Sequence, residues 1–345
     1  MQKPLVFCLT PVKNEAWILE RFLNCASIWA DRIIIADQGS TDGSREIAQR
    51  FSKVTLVDNR SQGFNEPERQ QMLLAEARRT PGRKVLMALD ADEFLTANFL
   101  TSPEWQSIIT ARPGTIISLQ WPEIEANVSD LSFFYFPSEL PVGFVDDGSE
   151  HQGKAIHSFR VPTPPSSPTL RPTEIKLMHY CLFDLDRFKS RIRWYQCYEY
   201  LTFNKRPIQL YRFYHLVLFV SRRVIQPVPK EWIKGYEDRG IDMSSITRDS
   251  SYHWDKEVLR YFDQYGTARF RQLSLWDVDW SKIYHDHYPL EDTKSFPDPR
   301  SWLDKRVHRW LKATQPEFSA YGTNPGIVTA FSNKCITKAL GLLGW

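Results

Sequence analysis

Along the first ninety residues, short apolar runs alternate with stretches of helical spacing. Leu5 to Leu9 is an unbroken apolar run, and Ile18, Leu19, Phe22, Leu23, Ala26 and Trp29 then recur three or four positions apart. Arg32 to Ala36 is a second run, followed by Ile47, Ala48 and Phe51 at helical spacing. Val54 to Val57 is a third, Gln70 to Ala77 reads as helix, and Lys84 to Leu89 is a fourth. Runs with no polar alternation fit strands buried on both faces, as in a parallel sheet. Strand and helix in strict alternation predict a doubly wound, mostly parallel sheet with right-handed crossovers and helices on both faces.

Beyond Phe94 the pattern loosens. Thr115 to Gln120 and Leu131 to Phe136 read as strands, and Gly143 to Gly153 as a polar loop. Five prolines between 162 and 172 predict a stiff surface loop, after which Glu174 to Tyr180 is again strand-like. The basic stretch Arg187 to Tyr195 reads as helix. From Phe213 the strand–helix alternation is gone, and Trp254 to Tyr265 and Trp302 to Trp310 read as helices. The expected organisation is an α/β domain over 1–212 and a mainly helical extension over 213–345.

Composition narrows the partners. A net charge of +3 with 25% charged residues provides no strong field for nucleic acid. Twelve tryptophans within 14% aromatic residues suit a carbohydrate or nucleotide binder, although most such rings serve as core. Five cysteines at scattered spacings form neither a disulfide framework nor a zinc pattern, which points to a reducing, cytoplasmic setting. The chain opens on a strand rather than a charged and then apolar leader, so no signal peptide is expected. No apolar run approaches the roughly 18 residues of a membrane span.

Candidate chemistry begins at the fourth run, which leads straight into Asp90, Asp92 and Glu93. Aspartate and glutamate are poor strand residues, so the strand should end near Asp90. Ligands of open α/β sheets bind beyond the carboxyl ends of the strands. Carboxylates crowded there are either a solvated acidic turn or hard ligands for Mg2+ or Mn2+ bridged to substrate phosphates. The first loop, Thr10 to Glu15, lacks both the Gly-x-Gly-x-x-Gly dinucleotide fingerprint and the Gly-x4-Gly-Lys-Ser/Thr phosphate loop. Asn14 is expected to cap the helix that follows.

Three pieces stand in order: Thr10-Pro11-Val12-Lys13-Asn14-Glu15, Ile34-Ile35-Ala36-Asp37-Gln38-Gly39-Ser40-Thr41-Asp42-Gly43-Ser44, and Leu89-Asp90-Ala91-Asp92-Glu93. Together they resemble the family 2 glycosyltransferases, of GT-A fold, firmly over residues 3–95 and loosely over 150–205. The resemblance implies that Pro11 and Glu15 line a uridine pocket and that Asp37 accepts a hydrogen bond from the base. It makes Asp90 and Asp92 the Asp-x-Asp pair, with Asp92 the more direct ligand of Mn2+ or Mg2+. It places Arg69 against the diphosphate, and His179, in His179-Tyr180, near the donor phosphates as a further metal ligand. Gln38 stands where many members have a second aspartate. Taken alone, Asp37 is equally a turn former, Glu15 a first-turn charge, Arg69 a surface ion-pair partner and His179 a core histidine.

The resemblance further implies an inverting transfer from a nucleotide-diphosphate sugar, UDP-linked, to a glycan, lipid-linked or other glycoconjugate acceptor of polysaccharide biosynthesis. A carboxylate must then act as general base. The candidates are Asp146, Asp147 and Glu150, with Asp147 and Glu150 preferred and His151 and His157 read as loop residues. Lys189 or Arg193 could contact a phosphate, or belong to a solvated helix face. The tail, with Lys334, Lys338, Leu340, Leu342, Leu343 and Trp345, is weakly amphipathic and would allow peripheral contact with a membrane. Two competing functions remain open. One is a sugar nucleotidyltransferase, which should carry a glycine-rich basic loop after the first strand. The other is a binding protein that keeps the donor pocket without catalysis.

Overall fold

The computed structural model describes residues 4–61, 63–126, 131–249, 251–290, 294–318 and 326–345. The chain packs into two compact units, one of residues 1–183 and 226–248, the other of 184–225 and 249–345. The helical part therefore starts at Asp184 rather than at 213, because the helix that follows packs mainly on later helices.

The first unit alternates as the pattern predicts: β1 (Leu5–Val12), α1 (Ala16–Trp29), β2 (Arg32–Asp37), α2 (Ser44–Gln49), β3 (Val54–Asp58), α3 (Glu66–Arg78) and β4 (Lys84–Ala88). It continues with β5 (Glu93–Leu95), α4 (Pro103–Thr110), β6 (Ile116–Ala126), β7 (Leu131–Val145), β8 (Thr169–Leu170) and β9 (Leu177–His179). The strands form one sheet in the order β3-β2-β1-β4-β7-β6-β9-β5. The first four pair in parallel, and β7 then runs antiparallel to both β4 and β6.

Side chains alternate along β1, so the sheet has two apolar faces. Val6, Cys8 and Val12 join Ile18, Leu19, Phe22 and Leu23 of α1 on one face. Phe7 and Leu9 join Leu73, Leu74 and Ala77 of α3 on the other. This is the α/β, doubly wound arrangement with helices on both sides. The weakly patterned middle of the chain is a long antiparallel ribbon, β6 and β7, that outruns the expected strands and takes in Gly143 to Val145. Gly143 lets β7 wedge between β4 and β6: a Cβ there would lie 2.6 Å from Met87 Sδ and 2.9 Å from Ile117 Cδ1.

Later chain returns to this unit as a short strand, β10 (Gln226–Pro227), which pairs with β7. α7 (Lys230–Glu237) follows and puts Trp232 and Tyr236 into the first core.

The second unit is helical: α5 (Leu185–Thr202), α6 (Pro207–Tyr214), α8 (His253–Tyr265), α9 (Trp280–His287), α10 (Trp302–Thr314) and α11 (Ile327–Leu342). Asp184 caps α5, accepting from the backbone N–H groups of Asp186 and Arg187. Ser301 and Asp304 form a capping box on α10.

Candidate active site

The carboxyl ends of β1 and β2 are laced together. β1 runs three residues past the expected end, and Pro11 and Val12 pair with Ala36 and Asp37. Asn14 does not cap α1. It sits at φ 57°, a conformation asparagine tolerates, and its side-chain oxygen accepts from Thr41 N–H at 2.8 Å. Ser40 and Ser44 hydroxyls accept from the N–H groups of Asn14 and Glu15 at 2.8 and 2.9 Å. The two loops thus form one rigid rim.

Asp37, the last residue of β2, is buried, and its carboxylate lies 2.6 Å from Arg45. Arg45 also reaches Asp58, the ladder partner of Asp37 at the end of β3, at 2.8 Å. Glu15 accepts from the Trp17 indole N–H at 2.7 Å. Arg69 lies over the Phe64 ring, 5.2 Å from its centroid, and 3.9 Å from Glu66.

Past β4 the carboxylates turn inward. Arg160 grips Asp90 at 2.8 Å with one guanidinium nitrogen and Glu93 with another. Asp90 N–H donates to the same Glu93 carboxylate at 2.8 Å. Glu93 is wholly buried, and burial pushes its carboxyl pKa up, with Asp90 adding to the rise and Arg160 opposing it.

β9 carries His179 between two acidic neighbours, because His179 is the ladder partner of Glu93 on β5 and of Glu123 on β6. Its Nε2 lies 3.6 Å from Asp92 and its Nδ1 2.9 Å from Glu123. The Trp121 ring stacks on the imidazole at a centroid separation of 4.4 Å. Cys181 donates its thiol to the same Glu123 carboxylate at 3.2 Å. Burial works against the charged imidazole, but Cys181, Glu123 and Asp92 outweigh it and hold the His179 pKa well above its ordinary value.

Two donor sets share His179. Glu123, His179 and Cys181 offer ligand atoms within 4.8 Å of one another. However, one Glu123 oxygen already touches both of its neighbours, all three residues are buried, and a thiolate suits softer ions than Mg2+ or Mn2+. Asp92 and the Nε2 of His179 are the better fit. Neighbouring ligands on a small octahedral ion with bonds of about 2.1 Å sit roughly 3 Å apart, so 3.6 Å needs only a small closure.

The structure places Asp147 at the amino end of β4, away from this cluster. Asp146 N–H donates to Lys84 O, at the start of β4, and Arg78, at the end of α3, pairs with Asp146 at 2.8 Å. Asp147 lies beside Gly114, where a Cβ would come within 2.8 Å of its carboxylate. It is exposed, and six residues of extended chain, about 20 Å, separate that edge from Asp90. Glu150 is exposed as well. From Asp146 the chain climbs along α3. Ser149 O accepts from Arg78, His151 O from Gln71, and Ser158 N–H donates to Glu66. The climb ends by delivering Arg160. His151 is buried and its Nε2 lies 2.7 Å from Phe159 O, while His157 is at φ 56° in the same segment.

Lys189 and Arg193 belong to the second unit. Arg193 is buried, 3.2 Å from Asp255, 3.4 Å from Asp277 and over the Trp280 ring. Lys189 lies 3.8 Å from Asp186. They line a cavity of about 250 Å³ with Tyr252, Asp277 and His287. The aromatic run of α5 and α6 stacks on itself, Tyr195 on Tyr214 at 5.5 Å and Trp194 on Tyr198 at 5.3 Å.

A mostly parallel N-terminal sheet with its polar site at the carboxyl ends of β1, β2 and β4 has the ligand placement of an open, doubly wound α/β fold. Residues 8–102 match the family model described as Glycosyl transferase family 2. No curated protein matches the sequence. Among solved structures, the chain is similar to GalNAc-T7 with UDP, GalNAc and Mn2+, at 16% identity and a TM-score of 0.29, over 36% of this chain and 24% of that one. It is also similar to HddC from Yersinia pseudotuberculosis, at 10% identity and a TM-score of 0.33, over 54% of this chain and 97% of that one. A third is 4-diphosphocytidyl-2C-methyl-D-erythritol synthase, at 15% identity and a TM-score of 0.29, over 42% of this chain and 76% of that one. The match to GalNAc-T7 spans about a quarter of that protein's length.

Proposed function

We propose that the protein transfers a sugar from a UDP-linked donor to a hydroxyl of a glycan, lipid-linked or other glycoconjugate acceptor, with inversion and with Mn2+ or Mg2+. The observation that carries this reading is the pairing of Asp92, just before β5, with His179, at the end of β9, within a chain whose residues 8–102 match the family model. Asp92 and His179 would hold the ion. When bound, the ion offsets the charge of the departing nucleotide diphosphate. Asp37 and the rim formed with Pro11 and Glu15 would seat the base and ribose, and Asp90 would face the donor beside the metal pair. Arg69, at the head of α3, would meet the diphosphate as the second cation.

Glu123 acts through His179. Its carboxylate lies 2.9 Å from the far imidazole nitrogen, and a hydrogen bond formed there on ion binding would fix which nitrogen faces the ion. Trp121 packs the ring from one side. Arg160 fixes Asp90 and Glu93 in the same way.

The test is a panel of UDP, GDP, CDP and TDP, each with and without Mn2+, read by thermal shift on wild type and Asp92→Ala. A ligand at about 100 times its dissociation constant adds roughly 2.7 kcal/mol. A shift for UDP that requires Mn2+ and is lost in Asp92→Ala is expected. No shift with any nucleotide would sink the reading. A shift without hydrolysis or transfer of UDP-sugars would favour the non-catalytic binding protein.

A further inference from the structure

The last helix, α11, leaves an apolar face open. Ile327, Val328, Phe331, Leu342 and Leu343 are 90%, 82%, 70%, 86% and 61% exposed. At about 100° per residue, Ile327, Val328, Phe331, Cys335 and Leu342 fall on one side of the helix. The opposite side is anchored. Asn333 is buried, accepting from Trp310 at 3.2 Å and donating to Glu317 at 2.6 Å. Leu340 is buried with Val307, Leu311 and Trp345. The open face is therefore neither a frayed end nor half of the unit's own core. Scattered single apolar residues on a surface need no explanation, but several large ones gathered on one side of a helix do.

We propose that α11 lies flat on an anionic lipid surface and sinks this stripe into it. The charge on the helix selects this occupant. Lys334 and Lys338 are exposed, Lys334 at the edge of the stripe and Lys338 within its arc, and residues 327–345 contain no aspartate or glutamate. A second copy would bring the same two lysines with no acid to meet them, whereas an anionic bilayer answers both the lysines and the apolar stripe. The helix has 16 residues, fewer than the roughly 20 needed to cross a bilayer. Among the described residues, no helix is long and apolar enough to span one. This inference stands apart from the sugar-transfer reading and uses none of its residues.

The experiment is co-sedimentation of the full chain with vesicles of phosphatidylcholine alone and of phosphatidylcholine with phosphatidylserine at seven to three. Wild type should partition onto the serine-containing vesicles, weaken at high salt, and bind phosphatidylcholine much less. Phe331→Glu with Leu342→Glu should cut partitioning by at least about tenfold and leave the melting temperature unchanged, since both side chains are exposed. Lys334→Glu with Lys338→Glu should remove the preference for phosphatidylserine. Wild type that ignores both vesicles, or a Phe331→Glu/Leu342→Glu variant that binds as well as wild type, would overturn the proposal. So would a wild-type dimer in solution that the same variant makes monomeric with no vesicle binding, which would assign the face to a second copy.

Discussion

Glu123 and His179 are partners in the parallel ladder of β6 and β9, and their side chains meet at 2.9 Å between Oε2 and Nδ1. The other imidazole nitrogen lies 3.6 Å from Asp92. If Asp92 and His179 hold the divalent ion, Glu123→Gln should weaken Mn2+ binding by about 10- to 100-fold. Electron paramagnetic resonance of free Mn2+ reads this without any turnover. Unchanged Mn2+ affinity in a folded Glu123→Gln protein would detach Glu123 from the site.

His179 also sets a pH dependence. Its pKa is held well above the ordinary value, with burial opposing and Cys181, Glu123 and Asp92 prevailing. A proton held on Nε2 must be lost before that nitrogen binds an ion. Mn2+ affinity should rise with pH, and each ion bound should release a proton. Titration calorimetry in buffers of different ionisation enthalpy measures that release. No release at neutral pH would show that the ion displaces no proton from His179.

Arg160 stands between Asp90 and a buried Glu93. Arg160→Ala would leave Glu93 without its counter-charge. Removing one partner of a buried pair costs about 3–5 kcal/mol. Arg160 is slightly exposed and the Glu93 pKa is already raised, so the lower end is expected. Adding Glu93→Gln should recover part of the loss. Urea unfolding of the two single variants and the double variant closes the cycle, and additive losses would show that the pair is not coupled.

The sequence made the N-terminal half of the sheet readable because its strands are local apolar runs and its chemistry sits where those runs stop. Asp37, Asp90 and Asp92 are all found at or just after strand ends. His179 was visible for the same reason, at the end of β9. Glu123, Trp121, Cys181 and Arg160 were not singled out. Glu123 lies within a long strand whose inward and outward positions no periodicity marked, since the β6–β7 ladder shifts register between Ile117 and Ser118 and again between Gln120 and Pro122. Arg160 comes from an irregular segment, and only the climb along α3 brings it to residues some 70 positions earlier. The antiparallel insertion of β7 beside β4 is equally non-local, and it is what carries Asp147 to the amino end of β4.

That placement makes the general-base expectation directly testable. Asp147 accepts from Ser149 N–H at 2.9 Å in an exposed turn, away from Asp92 and His179. Asp147→Asn should therefore leave donor turnover and Mn2+ affinity unchanged, while Glu150→Gln tests the other candidate base. A large loss of turnover in either variant with donor binding intact would restore that residue as the base.

The helical unit should be sensitive to acid through two histidines. Burial presses the His215 pKa down to about 4, and burial does the same to His308. His215 Nδ1 lies 2.9 Å from Tyr211 O while its ring stacks on Tyr211 at 4.0 Å, and His308 Nε2 lies 3.0 Å from Gln272 O. In the unfolded chain both titrate near pH 6.5. Between pH 6.5 and about 4 the unfolded state binds more protons than the folded one. The stabilisation is therefore complete above pH 6.5 and is lost as pH falls through that window. A shift of this size corresponds to roughly 3 kcal/mol for buried His215. His308 contributes less because it is partly exposed, and the two are not additive because they repel one another. Unfolding followed at successive pH values should show the helical transition weakening from pH 6.5 to 4. In His215→Gln the same transition should be weaker at pH 7 and flatter with pH. A wild-type transition that holds constant across that window would show that neither histidine is kept neutral by the fold.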